Sequence, residues 1–178
     1  MPLLRAMIDT NIVHALSSDP DTLGMVTKLR ANGSVQLLIT HLQGDQLSKA
    51  PPHVRKTAKT LDLTVINTDG WVWDVSKWDR SDWADEATEK RLARVQGMKK
   101  RTFKQWADTL ISVTAAGGAD AYVTNDKQAR NAAKRIVVED DLKLRVWSYG
   151  DFVGHVETLY ASLQDEAQFP AAAFDVQH

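Results

Sequence analysis

Apolar residues fall into short blocks separated by polar, helix-compatible stretches, and the order of the blocks predicts the order of the elements. Pro2-Leu-Leu-Arg-Ala-Met-Ile8 reads as a short buried strand, stopped by Asp9-Thr10-Asn11. Thr10 or Asn11 is the expected cap of a helix through Ile12, Val13, Ala15 and Leu16, since either side chain accepts hydrogen bonds from first-turn N–H groups. Ser17 to Pro20 breaks the chain, a helix follows over 21–30, and Asn32-Gly33 ends it. Val35 to Ile39 is a second strand, leading into a helix from His41 that closes before Pro51-Pro52. A basic helix over 53–60 and a third strand within Leu61 to Ile66 come next.

Beyond Thr68 the pattern changes. Gly70-Trp-Val-Trp-Asp-Val-Ser-Lys-Trp78 alternates, with Trp71, Trp73 and Val75 on one face, and predicts an inserted hairpin. Ser81 to Arg101 places its acids first and its bases last, as suits the dipole of a solvated helix. Trp106, Leu110 and Val113 recur at helical spacing within Phe103 to Ala116, and Gly117-Gly118 stops that helix. Ala121 to Thr124 reads as a strand, followed by a helix through Arg130 and Ala133. Leu144 to Trp147 is the last strand, and a helix runs from about Gly150 to Ala161. Ser162 to His178, rich in Ala and Gln, is expected to be a loosely held tail. Strands alternating with helices predict an α/β sandwich around a mainly parallel sheet, one domain over 1–161 with an insert at roughly 68–101.

With 178 residues, 43% hydrophobic and 25% charged, the chain suits one globular core and excludes disorder along most of its length. The lack of cysteine excludes disulfides and thiolate zinc sites. The first apolar stretch is interrupted by Arg5 and is too short for a signal core or a membrane span, so a cytoplasmic protein is expected. A net charge of −1 gives no overall attraction to nucleic acid; any such binding needs a local patch, and the basic run that includes Lys99, Lys100 and Arg101 is the candidate.

Ligands of open parallel sheets gather beyond the carboxyl ends of the strands. Asp9 ends the first strand, Asp126 follows the strand ending at Thr124, and Asp45 lies a helical turn after the strand ending at Ile39. Asp108 sits beside the apolar face of its helix. Clustered carboxylates repel one another unless a cation compensates them. Mg²⁺ takes hard oxygen ligands and leaves room for phosphate, whereas zinc would favour histidine or cysteine. His41, near a strand end, is a lesser candidate for substrate contact.

Met7-Ile-Asp9-Thr-Asn11 resembles the opening motif of PIN-domain nucleases. Ala107-Asp108-Thr-Leu-Ile-Ser-Val-Thr-Ala115 followed by Ala121-Tyr-Val-Thr124-Asn-Asp126 is similar to that family's closing pair, and the likeness spans roughly residues 3 to 160. It implies a Rossmann-like three-layer sandwich and a Mg²⁺- or Mn²⁺-dependent endoribonuclease. The family's four acids map onto Asp9, Asp45, Asp108 and Asp126, with metal held by Asp9, Asp108 and Asp126. Thr10, Asn11 and Thr124 fill the polar supporting positions. At the position mapped to Asp45 the family more often has Glu. Bacterial members resemble toxins silenced by an antitoxin, and relatives are often dimers; the tryptophans Trp71, Trp73, Trp78 and Trp83 depart from the smallest such toxins.

Other readings stand beside this one. Asp9 also reads as a plain helix cap and Asp126 as a turn residue. A binding module that holds RNA or a partner without cutting is the second reading of the whole. A phosphotransferase working through an aspartyl-phosphate on Asp9 is the third, although such enzymes usually carry a second Asp two residues on, where this chain has Asn11.

Overall fold

The computed structural model describes residues 3–69, 81–82, 86, 88–90, 103–139 and 142–168. Five parallel strands form the central sheet: β1 (Leu4–Ile8), β2 (Val35–Thr40), β3 (Thr64–Ile66), β6 (Ala121–Val123) and β7 (Arg145–Trp147), in the order β3-β2-β1-β6-β7. The chain winds outward from β1 in both directions, so the order reverses between β1 and β6. That switch point is where open α/β sheets leave a crevice at their carboxyl edge.

Alternation along the strands builds two cores. Ala6 and Ile8 of β1, Leu37 and Ile39 of β2, and Ala121 and Val123 of β6 point to one face, where they meet Ile12, Leu16, Val26, Leu29, Val54, Phe152 and Val156. The helices α1 (Thr10–Ser17), α2 (Pro20–Ala31), α4 (Pro52–Leu61) and α7 (Tyr149–Gln168) supply that layer. The intervening residues Met7, Leu38 and Tyr122 face the other way, against Ile111 and Ala115 of α5 (Phe103–Gly118) and Ala129 and Ala133 of α6 (Lys127–Glu139). The result is the three-layer α/β sandwich expected from the pattern, with the inner strands β1, β2 and β6 largely buried on both faces and the edge strands β3 and β7 more exposed. α3 (His41–Ser48) caps the end of β2.

Some boundaries differ from the expectation. Asp9, not Thr10 or Asn11, is the N-cap of α1, because Asp9 N–H still pairs with Val123 O at 2.9 Å and holds the residue extended. Gly33, at φ 81°, makes the turn after α2 that a side chain would strain. α7 continues seven residues past Ala161 to Gln168. Leu163 explains the extension: it lies four residues after Leu159 and seven after Val156, on the stripe that packs on the first core. The rest of the expected tail, 169–178, lies outside the described residues, as do the hairpin at 70–78, Trp83 and the basic residues Lys99, Lys100 and Arg101. On either side of that stretch, β4 (Thr68–Asp69) and β5 (Ser81–Asp82) pair in parallel as a separate two-stranded sheet. Within the charged stretch, Glu86 and Lys90 form an ion pair one helical turn apart. Among the described residues no helix is long and apolar enough to cross a membrane.

Candidate active site

Ile8 of β1 lies beside Val123 of β6, so the residues that follow them, Asp9 and Thr124, leave the sheet side by side. Asp9 receives bonds on both oxygens. Oδ1 accepts Thr10 N–H at 2.6 Å, with the Thr10 hydroxyl 3.3 Å away. Oδ2 accepts Asn11 Nδ2 at 2.6 Å and the Thr124 hydroxyl at 2.7 Å. Thr10 and Asn11, the residues expected to support the acid, therefore do so from the first turn of α1.

The polar network extends to the next helix. Asn11 Nδ2 also donates to Thr124 Oγ1 at 3.2 Å, and Asn11 Oδ1 accepts Asn125 N–H at 3.1 Å. Asn125 Oδ1 in turn accepts Tyr149 N–H at 3.0 Å and so ties the cluster to the start of α7. Asp126 N–H donates to Thr124 Oγ1 at 3.0 Å, while Asp126 Oδ1 accepts Gln128 N–H at 2.7 Å and Ala129 N–H at 3.2 Å. Asp126 thus caps α6, where the helix dipole favours a negative charge.

Asp108 reaches the same region from α5, half-buried between the buried Ala107 and Thr109. The residue that registers the convergence is Tyr122. Its ring is fully buried on the α5–α6 face, and its hydroxyl is held well above the ordinary phenol range. Burial contributes most, followed by the negative charges of Asp9, Asp108 and Asp126; a Thr124 hydrogen bond works the other way. The charges of three carboxylates from distant parts of the chain thus act on one buried phenol.

From α3 the contact with the Asp9 cluster is made by Gln46, whose Oε1 lies 3.2 Å from Thr10 Oγ1. Asp45, the expected fourth acid, is half-buried at the preceding helix position. Gln43 is fully buried: its Nε2 donates to Ile8 O at 2.7 Å and its Oε1 accepts Thr40 N–H at 2.8 Å, which closes a capping box and fixes α3 against the end of β1. His41 is 1% exposed. Gln43, Gln46, Asn125 and Tyr122 were missed in the sequence. The signal for Gln43 was its spacing after Thr40, where a side chain three residues past an N-cap commonly turns back to it.

Carboxylate oxygens with no thiolate among them suit a hard divalent cation. Among the described residues, no three His, Asp or Glu side chains close round one point as a ready-made metal cage. A set that contributes one or two carboxylates and leaves the remaining positions to water and phosphate is the usual habit of Mg²⁺. No protein-family model and no curated protein matches the chain.

Proposed function

We propose that this protein is a Mg²⁺- or Mn²⁺-dependent endoribonuclease that hydrolyses RNA phosphodiester bonds at the Asp9 edge of the sheet. The observation that carries the reading is that Asp9 and Asp126 follow the adjacent strands β1 and β6 at the switch point and share Thr124 as a hydrogen-bond partner, with the charges of Asp9, Asp108 and Asp126 all acting on the buried Tyr122. The arrangement is consistent with the PIN-like motifs from which these acids were expected. When bound, a divalent ion would supply charge neutralisation for the phosphate and activation of the attacking water. Asp9 and Asp126, at the ends of adjacent strands, are the principal ligands in this reading, with Asp108 entering from α5 and Asp45 assisting. Asn11 and Thr124 hold the Asp9 carboxylate in one orientation, and the N-terminus of α6 fixes Asp126.

Cleavage of single-stranded RNA by the full chain, with and without EDTA and beside Asp9→Asn, tests the reading. Loss of cutting in both arms is expected; metal-independent cutting or an unimpaired variant overturns it. A toxin role in the cytoplasm, with an antitoxin as partner, extends the proposal, and predicts growth arrest on induced expression only while Asp9 is intact.

One observation favours the second reading, a module that binds RNA or a protein partner without cutting. Both Asp9 oxygens are already engaged, and a carboxylate has only about four acceptor directions. Calorimetry that detects RNA binding but neither Mg²⁺ nor Mn²⁺ binding selects that reading.

A further inference from the structure

The Thr10 hydroxyl sits between two acceptors. Asp9 Oδ1 is 3.3 Å from it and Gln46 Oε1 is 3.2 Å from it. A hydroxyl carries one proton, so it serves one acceptor at a time. When that proton lies on Asp9, the carboxylate accepts from Thr10 N–H, Thr10 Oγ1, Asn11 Nδ2 and Thr124 Oγ1, and its acceptor directions are filled. When the proton turns to Gln46, one direction on Oδ1 opens. The other three donors are tied to the first turn of α1 and to the end of β6. Thr10 N–H is fixed by the backbone of α1, and Asn11 and Thr124 are locked to each other and to the Asn125–Asp126 backbone.

We propose that Gln46 is a positioning residue that draws the Thr10 hydroxyl off Asp9 and thereby frees Asp9 Oδ1 to ligate a divalent cation. The inference rests on the nuclease reading of the same site. An amide oxygen is suited to the task because it accepts the proton without adding another negative charge to those of Asp9, Asp108 and Asp126. Gln46 is exposed, so its truncation removes the acceptor without opening the core.

The test is Mn²⁺ binding by the full chain, followed by electron paramagnetic resonance of the free ion, for the wild type, Gln46→Ala, Gln46→Glu, Thr10→Val and the Thr10→Val/Gln46→Ala pair. Gln46→Ala is expected to weaken Mn²⁺ binding by about fivefold, the scale of one hydrogen bond exchanged. Gln46→Glu keeps an acceptor for the hydroxyl and is expected to bind at least as tightly as the wild type. Thr10→Val removes the competing proton, so Gln46→Ala is expected to have no further effect in that background. Wild-type affinity in Gln46→Ala, or a fivefold loss that persists without the Thr10 hydroxyl, overturns the role of Gln46 and leaves the nuclease reading intact. Mn²⁺ binding that is identical in Asp9→Asn overturns both.

Discussion

Thr124 donates its hydroxyl proton to Asp9 Oδ2 at 2.7 Å, joining residues 115 apart in sequence across the gap between β1 and β6. Thr124 Oγ1 also accepts Asp126 N–H and Asn11 Nδ2, so this buried hydroxyl serves as donor and acceptor at once. Thr124→Val keeps the shape and removes the bonds. It leaves the Asp126 N–H and part of the Asn11 amide unpaired, and a loss of about 1–3 kcal/mol is expected. Urea denaturation checks this, the midpoint falling at unchanged slope. Thr124→Ser, which retains the hydroxyl, is expected to lose less than half as much. Equal stability of the Val variant and the wild type would show that the network does not hold the two strand ends together.

The acid edge was legible because two rules act together there. Short apolar blocks mark parallel strands, and the residue after each block must emerge at the carboxyl edge; Asp9 and Asp126 follow from these rules without any knowledge of strand order. Asp108 was legible because a carboxylate among Ala107, Leu110 and Ile111 needs a polar destination. Gln46 was not, since its approach to Thr10 depends on the rotation of α3, and one residue turns a helix by about 100°. Tyr122 reads in sequence as ordinary strand core, and only the folded sheet brings its hydroxyl under the carboxylates. The two-residue pairing of β4 with β5 carries too few side chains to leave a pattern.

If Asp9 contributes to a cation site, ligand binding to the folded state alone must raise stability by mass action. Mg²⁺ or Mn²⁺ at ten times its dissociation constant should add about 1.4 kcal/mol. Thermal melting with increasing MnCl₂ is expected to show a rising midpoint for the wild type and a flat one for Asp9→Asn. A midpoint that rises equally in Asp9→Asn would assign the ion to another part of the molecule.

The C-terminal half of α7 makes a graded prediction about the first core. Phe152 is fully buried and Leu163 only partly so, although both lie on the stripe that packs against the sheet. Phe152→Ala is expected to cost about 3–5 kcal/mol, and Leu163→Ala about 1–2 kcal/mol, below the range for a fully buried leucine. Chemical denaturation of the two variants gives the ratio. A negligible loss at Leu163 would mean that the last turns of α7 are not anchored by their apolar stripe.

The three tyrosines of the chain report three different environments. Tyr160 accepts a hydrogen bond from Lys28 Nζ at 2.8 Å, which lowers its pKa below the ordinary 10.0. Tyr149 is pushed up to about 12, first by burial and then by its hydrogen bond to Asp19 Oδ2 at 2.9 Å and the charge of that carboxylate. Tyr122 is raised well above the ordinary phenol range, first by burial and then by the charges of Asp9, Asp108 and Asp126. Tyrosinate absorbance is therefore expected to rise in two steps while the protein stays folded, one below pH 10 and lost in Tyr160→Phe, the other near pH 12 and lost in Tyr149→Phe. Because the folded pKa of Tyr149 lies above its unfolded value, its neutral form stabilises the fold fully below pH 10, and that contribution disappears as pH rises from 10 through 12. Asp19 has the opposite sign: the Thr22 N–H, before any other cause, lowers its pKa, so its contribution is present above the ordinary 3.8 and is lost as acid takes the pH down through the lowered value. Tyr149→Phe should therefore flatten the alkaline limb of a stability–pH curve and Asp19→Asn the acid limb. A Tyr149→Phe protein that keeps the alkaline slope of the wild type would remove the Tyr149–Asp19 bond as its cause.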